Sequence, residues 1–441
     1  MGRPTRGMVT FSIIWIGQLF SILGSGLTSF GLGVWIYEET GSVTLFAVNL
    51  LVWILPNIAF SPLAGVITDR WDRRLVMILS DTGAGLSSLF VAIVLLTGRL
   101  EVWHVYLATF FNSAFGAFQW LAYSTATSQL VPKEHLGRAG GMTQIGEAIS
   151  NMATPAIAGV LFVSAGLKII LLIDVATYLA ALTTLIAVRF PPVTKQSEAE
   201  QEGLEKKTPF LKEAFYGWIF IRQRTGLLGL LLIFAVMNFL VNVAFTVFNP
   251  LLLDMASPDV LGYVGSIGGV GMLFGTLSMS IWGGPKRRIF GIFAAEVGIG
   301  LSTFFIGLRP SIALISVGNF GWLLAAPVSQ ACSQAIWQTK VAPEVQGRVF
   351  SIRRMIAFSV IPIAYLVAGP LAERVFEPMM AAGGKLAPLL GPLIGQGEGR
   401  GIGLMFIVTG MIYVALASLI VLCPRIRRLE LELPDAIGAK A

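Results

Sequence analysis

Charge is scarce in this sequence, and cysteine and histidine are scarcer still. Only 12% of the 441 residues are charged and 55% are hydrophobic, whereas a soluble globular protein carries about 25% charged residues. So few charges cannot cover a water-facing surface, which excludes a soluble domain and indicates a protein embedded in a bilayer. Two cysteines and two histidines predict neither a disulfide framework nor a metal site, and we expect no cofactor.

Long apolar segments are what the sequence has in abundance, and their lengths suit helices that cross a membrane. Each is near or above the roughly 20 residues that a spanning helix needs. The period-2 alternation of a membrane β-barrel is missing. The sequence therefore predicts an all-α membrane protein with twelve transmembrane helices. These cover approximately residues 9–37, 43–68, 75–97, 102–127, 139–163, 167–190, 226–253, 260–282, 289–308, 311–337, 349–372 and 402–423.

Lysine and arginine are distributed unevenly over the connections between these spans. If the N-terminus is cytoplasmic, all but six of the 31 basic residues fall in cytoplasmic segments. The six on the outer side are Arg99, Lys168, Arg309, Arg374, Lys385 and Arg400. By the positive-inside rule this distribution predicts a multi-pass protein of the cell membrane with both termini in the cytoplasm. It also explains the net charge of +7 without a nucleic-acid partner.

One polar segment, residues 191–225, separates the first six spans from the last six. Its second part carries apolar residues at helical spacing beside basic ones, which is typical of an amphipathic helix in the cytoplasmic membrane interface. We therefore predict an N-terminal six-helix bundle (1–190), a linker (191–225), and a C-terminal six-helix bundle with a cytoplasmic tail (226–441).

The two halves share a short motif. L-V-P-K-E-H-L-G-R-A before the fifth span resembles V-A-P-E-V-Q-G-R-V before the eleventh. The corresponding residues are Glu134 and Glu344, Gly137 and Gly347, and Arg138 and Arg348. Related halves of this kind predict two pseudo-symmetric bundles with a binding site between them, near the bilayer midplane.

Glycine is concentrated in two further places. The run Gly265–Gly271 lies inside the eighth span. Because no strand precedes it and no Lys-Ser/Thr follows, it predicts close helix packing rather than a phosphate-binding loop. The outer connection 373–401 is rich in glycine and proline, and we predict no fold for it.

A tight charged connection, Gly65–Arg74, joins the second and third spans. It reads G-V-I-T-D-R-W-D-R-R and matches the G-x-x-x-D-R-x-x-R-R loop of major facilitator superfamily transporters, which this chain resembles over nearly its whole length. Asp72 stands where the family often has glycine. More narrowly, the chain resembles the drug-efflux branch that contains macrolide exporters and enterobactin-type siderophore exporters. That likeness is carried by W-I-G-Q-L-F-S-I-L-G-S (Trp15–Ser25), L-V-P-K-E-H-L-G-R-A, I-D-V-A-T-Y (Ile173–Tyr178) and G-R-V-F from Gly347.

The resemblance implies that the charged loop is a conformational latch rather than a substrate site. In the family the loop acid pairs with the start of the eleventh helix, so Asp69 is expected to contact its first-turn amides and Arg353 or Arg354. Gly65 is expected to let helices pack closely, and Asp81 to join the cytoplasmic charge network. The predicted latch set is Gly65, Asp69, Arg70, Arg73, Arg74, Asp81, Arg353 and Arg354.

Four acidic residues, Asp81, Glu147, Asp174 and Glu296, fall inside predicted spans. Charge within a span is costly, so each is a candidate for function. Glu147 and Asp174 are the candidates for proton coupling. The alternative for Glu147 is a structural partner of an arginine or of the backbone, and for Asp174 a cap or a pair with Lys168. Glu296 is expected to be structural.

Polar stripes on four spans are candidates for the substrate cavity, because in the family the first, fourth, seventh and tenth helices line it. The alternative is that these amides and hydroxyls hold helices together. Their mixture of amides and aromatic rings, without a deep Arg or Lys, suits a large amphiphilic solute that is neutral or cationic. The stripes comprise Gln18, Ser21, Ser25 and Ser29; Asn112, Phe115, Gln119 and Tyr123; Asn238, Asn242, Thr246 and Asn249; and Asn319, Gln330 and Gln334.

The leading functional hypothesis is a secondary transporter that exports an amphiphilic small molecule, such as a drug, siderophore or peptide-like product, by proton antiport with alternating access. Its partners would be the substrate, protons and the bilayer, and it would act as a monomer. An importer or facilitator of a small solute is the alternative. A membrane enzyme is disfavoured, because the candidate residues form no catalytic constellation. A scaffold is disfavoured, because it would not need polar stripes that face inward on four helices.

Overall fold

Helices form the regular secondary structure of this chain, as a computed structural model shows for residues 6–132, 135–188, 217–397 and 399–435. Within these residues eleven helices are long, from 21 to 52 residues. They are α1 Arg6–Thr40, α2 Val43–Arg70, α3 Arg73–Leu96, α4 Val102–Leu130, α5 Leu136–Ala187, α6 Thr225–Leu253, α7 Pro258–Trp282, α8 Arg288–Leu308, α9 Ile312–Lys340, α10 Pro343–Leu371 and α11 Arg400–Leu422.

Helix α5 is two helices joined by a single non-helical residue. Gly166 has φ 76° and ψ 172°, a conformation that suits glycine because it carries no Cβ. Counting both arms of α5, the described residues contain twelve long helical segments. Ten helices there are long and apolar enough to cross a membrane. Helix α4 falls outside those ten although it is 29 residues long, because polar residues such as Asn112 and Gln119 interrupt its apolar surface.

The two arms of α5 pack along α1 in opposite directions. Trp15 Nε1 donates to Met142 O at 2.9 Å, near the start of the first arm. Four glycines of α1 then mark the closest approaches, because an added Cβ would touch the facing residue. These pairs are Gly26 with Thr154, Gly31 with Leu167, Gly24 with Thr177 and Gly17 with Thr184. Residue numbers rise together in the first arm and run opposite in the second, so Gly166 is the tip of a tight helical hairpin.

The chain forms two compact units. Unit 1 comprises Met1–Lys195 with Ala256–Ser266, and unit 2 comprises Gln196–Met255 with Ile267–Ala441. Three apolar clusters form the core of unit 1. They contain Phe11, Ile14 and Met77; Ile36 and Val91; and Leu27, Ala158 and Ile170. On α1 the polar residues Gln18, Ser21 and Ser25 lie between the first cluster and the other two.

Glycines of α7 let this helix approach α9 closely within unit 2. A Cβ at Gly271 would lie 2.5 Å from Phe320 O, and one at Gly275 would lie 2.2 Å from Leu324 O. Backbones can come this near only where the side chain is a hydrogen atom. The run Gly265–Gly271 therefore serves helix packing at its C-terminal end, as its sequence context predicts.

The connection 373–401 is folded in its described part, contrary to the expectation from its glycine and proline content. It forms a π-helix, Ala372–Phe376, and two short α-helices, Glu377–Met380 and Ala387–Ile394. Met380 and Ile394 pack into an apolar cluster with residues of α11. Glu377 Oε1 also accepts a hydrogen bond from Ile402 N at 2.9 Å, so its carboxylate caps the first turn of α11.

Most of the predicted linker, residues 191–216, lies outside the described residues. Residues 217–222 are helical, and Ile221 is fully buried within unit 2. A Cβ at Gly217 would lie 2.4 Å from Arg348 O. This part of the linker therefore packs against the start of α10.

A C-terminal segment is held against the ends of α8 and α9 in unit 2. The buried Lys340 Nζ donates to Glu430 O at 2.7 Å and pairs with Asp435 Oδ1 at 2.8 Å. The Glu430 carboxylate accepts from Arg288 N at 2.9 Å and Ile289 N at 3.0 Å. A carboxylate at this position stabilises the N-terminus of α8.

Candidate substrate-binding site

A cavity of about 710 Å³ opens between α1, α3, α4 and α5 of unit 1. Its volume lies within the range of small-molecule sites. Seven of the residues that the polar stripes predict for the cavity line it: Gln18, Ser21, Ser25, Asn112, Phe115, Gln119 and Tyr123. The other aromatic and acidic residues of the wall are Asp81, Trp120, Glu147 and Tyr178. Among the described lining residues none is Lys, Arg or His.

A chain of hydrogen bonds crosses the cavity wall from α4 through α1 to α3. Gln119 Nε2 donates to Gln18 Oε1 at 2.9 Å, and Gln18 Nε2 donates to Asp81 Oδ2 at 2.9 Å. Asp81 is only 3% exposed. Its hydrogen bond comes from a neutral amide, so the carboxylate lies at the cavity wall without a basic partner among the described residues.

The placement of Asp81 differs from the sequence-based expectation, which assigned it to the charged loop. Asp81 lies on the buried face of α3 with Met77, Ala84 and Ser88, the face that meets α1 and α5. Arg74 of the first turn instead donates to the C-terminal end of α5. Two turns of helix therefore carry Asp81 out of the loop network and into the cavity.

Glu147 occupies the opposite kind of environment. It is an exposed residue of the first arm of α5 and lines the cavity with Gly140 and Thr143, at spacings that share one helix face. Gly146, its neighbour, packs near Trp15 and Leu19 of α1. Glu147 thus lies at nearly the same height along α1 as Asp81, whose partner is Gln18.

Asp174 lies behind the cavity wall and is fully buried. Ser88 Oγ donates to Asp174 Oδ2 at 2.7 Å, and Ser25 Oγ lies 3.5 Å from Oδ1. The pairing with Lys168 that the sequence suggested as an alternative does not occur between the described side chains, since Lys168 is exposed. Ser25 also lines the cavity, so a single hydroxyl separates this carboxylate from the cavity.

The remaining predicted cavity residues belong to unit 2. Asn242 Nδ2 donates to Asn238 O at 2.8 Å along α6. Asn319 is buried on α9, and Gln330 is exposed. Gln334 Oε1 accepts from Arg353 Nη1 at 2.9 Å. These polar groups are distributed over α6 and α9 within their own unit.

Arg353, expected in the latch, is engaged within unit 2. Besides Gln334, its guanidinium donates to Ser333 Oγ at 3.1 Å and lies 5.1 Å from the centre of the Trp337 ring. Arg354 is exposed, 5.4 Å from the Phe358 ring. Arg353 therefore joins α10 to α9 in this structure.

Glu296 is buried in unit 2 with 3% exposure. The hydroxyl of Ser329 donates to its Oε1, and Tyr413 Oη donates to its Oε2 at 2.5 Å. The carboxyl group thereby links α8, α9 and α11, in keeping with the structural role that its position predicts.

The sequence itself identifies the family once it is compared with known proteins. Residues 14–365 match the family model described as Major Facilitator Superfamily. The chain belongs to this superfamily. It is therefore a membrane transporter of small molecules and not an enzyme, as the motif in Gly65–Arg74 predicts.

Three relatives of this transporter carry names that state a substrate. Macrolide efflux protein A of Streptococcus pyogenes is 27% identical over 98% of this chain and 100% of its own length. Macrolide efflux protein A of Enterococcus faecalis is 30% identical over 73% of this chain and 99% of its own. The enterobactin exporter EntS of Shigella flexneri is 25% identical over 77% and 79%.

Solved structures of other transporters have the same fold. A bacterial homologue of the lysosomal transporter Spinster has a TM-score of 0.64 and 14% identity, over 95% of this chain and 97% of its own. A D-xylose-proton symporter has a TM-score of 0.63 and 14% identity, over 91% and 96%. The predicted fold class, an all-helical membrane protein of the major facilitator type, is confirmed.

The family's charged loop forms the junction of α2 and α3 in this transporter. Asp72 Oδ1 accepts from Arg74 N at 2.8 Å and is the N-cap of α3. Arg74 Nε and Nη2 donate to Leu185 O at 2.8 Å and Ile186 O at 2.6 Å. The positive charge of Arg74 stabilises the C-terminal end of α5. Its position in the loop alone did not predict this role.

The structure gives fewer contacts for the other predicted latch residues. The side chains of Asp69 and Arg70 lie outside the described residues. Arg73 is half-buried, and its Nε and Nη1 contact no hydrogen-bond partner among the described atoms. A Cβ at Gly65 would meet Leu121 at 3.7 Å, an ordinary contact. Close helix packing therefore does not depend on Gly65, contrary to expectation.

Trp120 is an aromatic residue of the cavity that the polar stripes do not include. It is 62% exposed and lines the cavity one residue after Gln119. An apolar ring inside an apolar span does not stand out in a sequence. Its spacing of four from Gly116 and from Ser124, which also line the cavity, is the signal that could have identified it.

Proposed function

We propose that this chain is a secondary active transporter that exports an amphiphilic small molecule in exchange for protons. The observation that carries the proposal is the chain Gln119–Gln18–Asp81, which holds a carboxyl group at the wall of a ligand-sized cavity. Alternating access of the two halves would expose that cavity to each side of the membrane in turn.

A carboxyl group in this position supports coupling to protons. Asp81 is buried, its hydrogen-bond donor is a neutral amide, and no basic residue lines the cavity among the described ones. Gain or loss of one proton therefore changes the net charge of the cavity wall. If substrate and proton each bind better when the other is absent, linkage makes their coupling reciprocal and produces antiport. Asp174, one hydroxyl behind the wall, is a second group that could hold a proton.

The composition of the wall supports an amphiphilic substrate. Phe115, Trp120 and Tyr123 offer apolar faces, and Asn112 and Gln119 offer amide donors and acceptors. Sites that combine a mostly apolar wall with a few polar groups orient drug-sized molecules. The names of the relatives, two macrolide efflux proteins and an enterobactin exporter, support export and support substrates of this size.

The distribution of basic residues supports one orientation in the membrane. We place both termini in the cytoplasm, because all but six of the 31 lysines and arginines then lie on that side. With this orientation, inverted membrane vesicles expose the cytoplasmic face to the medium, and an exporter loads its substrate into them.

Transport into inverted vesicles with an acid interior tests the function. We expect vesicles that contain the protein to accumulate a macrolide or another large amphiphile, and an ionophore that collapses the pH gradient to abolish accumulation. Asp81→Asn should reduce gradient-driven accumulation to the level of vesicles without the protein. Glu39→Gln, which removes an exposed carboxylate at the end of α1, is the matched control and should transport normally.

Two results would contradict the proposal. Undiminished gradient-driven accumulation by Asp81→Asn would remove this residue from coupling. Accumulation that ignores the collapse of the gradient for every tested amphiphile would remove proton antiport. Accumulation only in right-side-out vesicles with an acid exterior would indicate import.

A further inference from the structure

We infer that the wall formed by α4 and the first arm of α5 is a subsite for a positively charged group of the substrate, with Glu147 as its counter-charge and Trp120 as its aromatic face. The inference rests on the proposed function only in that the cavity is taken as the substrate site. It adds the substrate's charge, which the cavity's amphiphilic character alone leaves open.

The geometry of the wall is the first support. On α4, Gly116, Trp120, Ser124 and Thr127 follow one another at helical spacing along the cavity. On α5 a second row, which includes Glu147, lines the same cavity. Tyr123 of α4 lines this cavity together with Glu147. A carboxylate and aromatic rings thus border one space, and these are the two groups that bind organic cations.

The charge of the wall is the second support. The described lining residues include two acids and no base. An anion such as a free carboxylate or phosphate would meet negative charge there without a countering cation. A cation would meet Glu147 directly.

The third support is that Asp81 and Glu147 differ in exposure, which suits them to different roles. Asp81 is buried and held by Gln18, so a bulky ligand cannot contact it without disturbing the hydrogen-bonded chain. Glu147 is exposed to the cavity, where a ligand can reach it. The sequence-based hypothesis made Glu147 a proton carrier. Its exposure favours contact with substrate, and the buried Asp81 is better placed to hold the exchanged proton.

A pair of ions that share shape but differ in charge tests this inference by equilibrium binding. Tetraphenylphosphonium and tetraphenylborate have nearly the same size and apolar surface and opposite charges. We expect the purified full chain in lipid nanodiscs to bind the phosphonium saturably and to bind the borate at least about tenfold more weakly, since each 1.4 kcal/mol is tenfold in affinity.

Variants locate the site. Glu147→Gln should weaken phosphonium binding about tenfold and narrow the difference between the two ions. Trp120→Leu should weaken it about three- to tenfold, and Trp120→Phe less, because a phenyl ring keeps part of the cation–π attraction. Glu39→Gln should bind as the unchanged chain does. If Glu147 had only a structural role, Glu147→Gln would weaken the binding of both ions by the same factor.

Three results would each contradict the subsite. They are equal affinity for the two ions, no saturable binding of the phosphonium, and unchanged phosphonium affinity in Glu147→Gln. Failure of the proposed function is distinguishable. Charge-selective binding with transport that ignores a pH gradient would leave the subsite intact and remove the antiport, and gradient-driven export without charge selectivity would do the reverse.

Discussion

Single carboxyl groups in this transporter differ mainly in what surrounds them. Asp81 and Asp174 are bonded by amide or hydroxyl groups next to a cavity, whereas Glu296 is bonded by two hydroxyls from neighbouring helices. All three are buried within a unit. Asp174 and Glu296 both have hydroxyl partners from other helices, so it is the nearness of the cavity that distinguishes Asp81 and Asp174 from Glu296.

At Glu296 the structural role predicts a loss of stability when a donor is removed. Ser329→Ala leaves one carboxyl oxygen of Glu296 without its hydroxyl partner, and an unsatisfied buried group costs about 1–3 kcal/mol. We expect a lower thermal unfolding temperature in detergent. Ser316→Ala, whose exposed hydroxyl bonds within its own helix, is the matched control. Equal unfolding temperatures for the two variants would show that Glu296 does not depend on Ser329.

At this scale the sequence identified three amides that line the cavity but misplaced Asp81. Gln18, Asn112 and Gln119 could be found because polar residues at helical spacing are conspicuous in an apolar span. Asp81 was assigned by its nearness in sequence to Arg74. Seven residues make two turns of helix, so the two side chains lie on nearly the same face of α3 but about 10 Å apart along its axis. Asp81 therefore reaches Gln18 of α1, whereas Arg74 reaches the end of α5.

Helix pairs are held at close range by glycines whose importance depends on the facing residue. Gly271 of α7 faces a carbonyl of α9 at a distance that excludes a Cβ. Gly298 of α8 faces Ala325 across an ordinary contact of 3.6 Å. A glycine in a membrane span therefore indicates close packing only where the backbone of the partner helix is too near to leave room for a Cβ.

The two glycines make a matched pair of variants. Gly271→Ala should force α7 and α9 apart and cost about 1–3 kcal/mol, the usual range for overpacking. Gly298→Ala should be neutral or slightly stabilising, because alanine favours the helix. Thermal unfolding of the purified variants compares them. If Gly271→Ala unfolds no earlier than Gly298→Ala, the close approach is not required.

Elements that depend on long-range contacts could not be predicted. The connection 373–401 has a composition that suggests irregular chain, yet Glu377 caps α11 and Met380 enters a core. Glu377 and Ile402 are 25 residues apart, and no local sequence pattern predicts such a contact. Most of the long helices, in contrast, follow from length and hydropathy alone, and α4 is the exception.

At the scale of the whole molecule, the charged loop remains the candidate for a conformational latch. Asp69→Asn removes a charge that would pair with the first turn or with Arg353 or Arg354 of α10, and charge-assisted hydrogen bonds are worth about 1.5–3 kcal/mol. We expect the maximal transport rate to fall about tenfold while substrate affinity stays nearly unchanged. Initial rates over a range of substrate concentrations separate the two quantities.

Asp72→Asn is the control for that experiment. Asparagine caps a helix N-terminus about as well as aspartate, so the N-cap of α3 is kept while one loop charge is lost. We expect near-normal rates. A fall in affinity without a fall in rate in Asp69→Asn would argue that the loop contacts substrate and is not a latch.

The one-residue turn at Gly166 leaves the fifth and sixth spans without a loop in which an epitope could be placed. Insertion there would have to unwind one arm of the α5 hairpin from α1. A single cysteine in place of the exposed Lys168, labelled by a reagent that cannot cross the bilayer, would instead report which side of the membrane this end of unit 1 faces while leaving the hairpin closed.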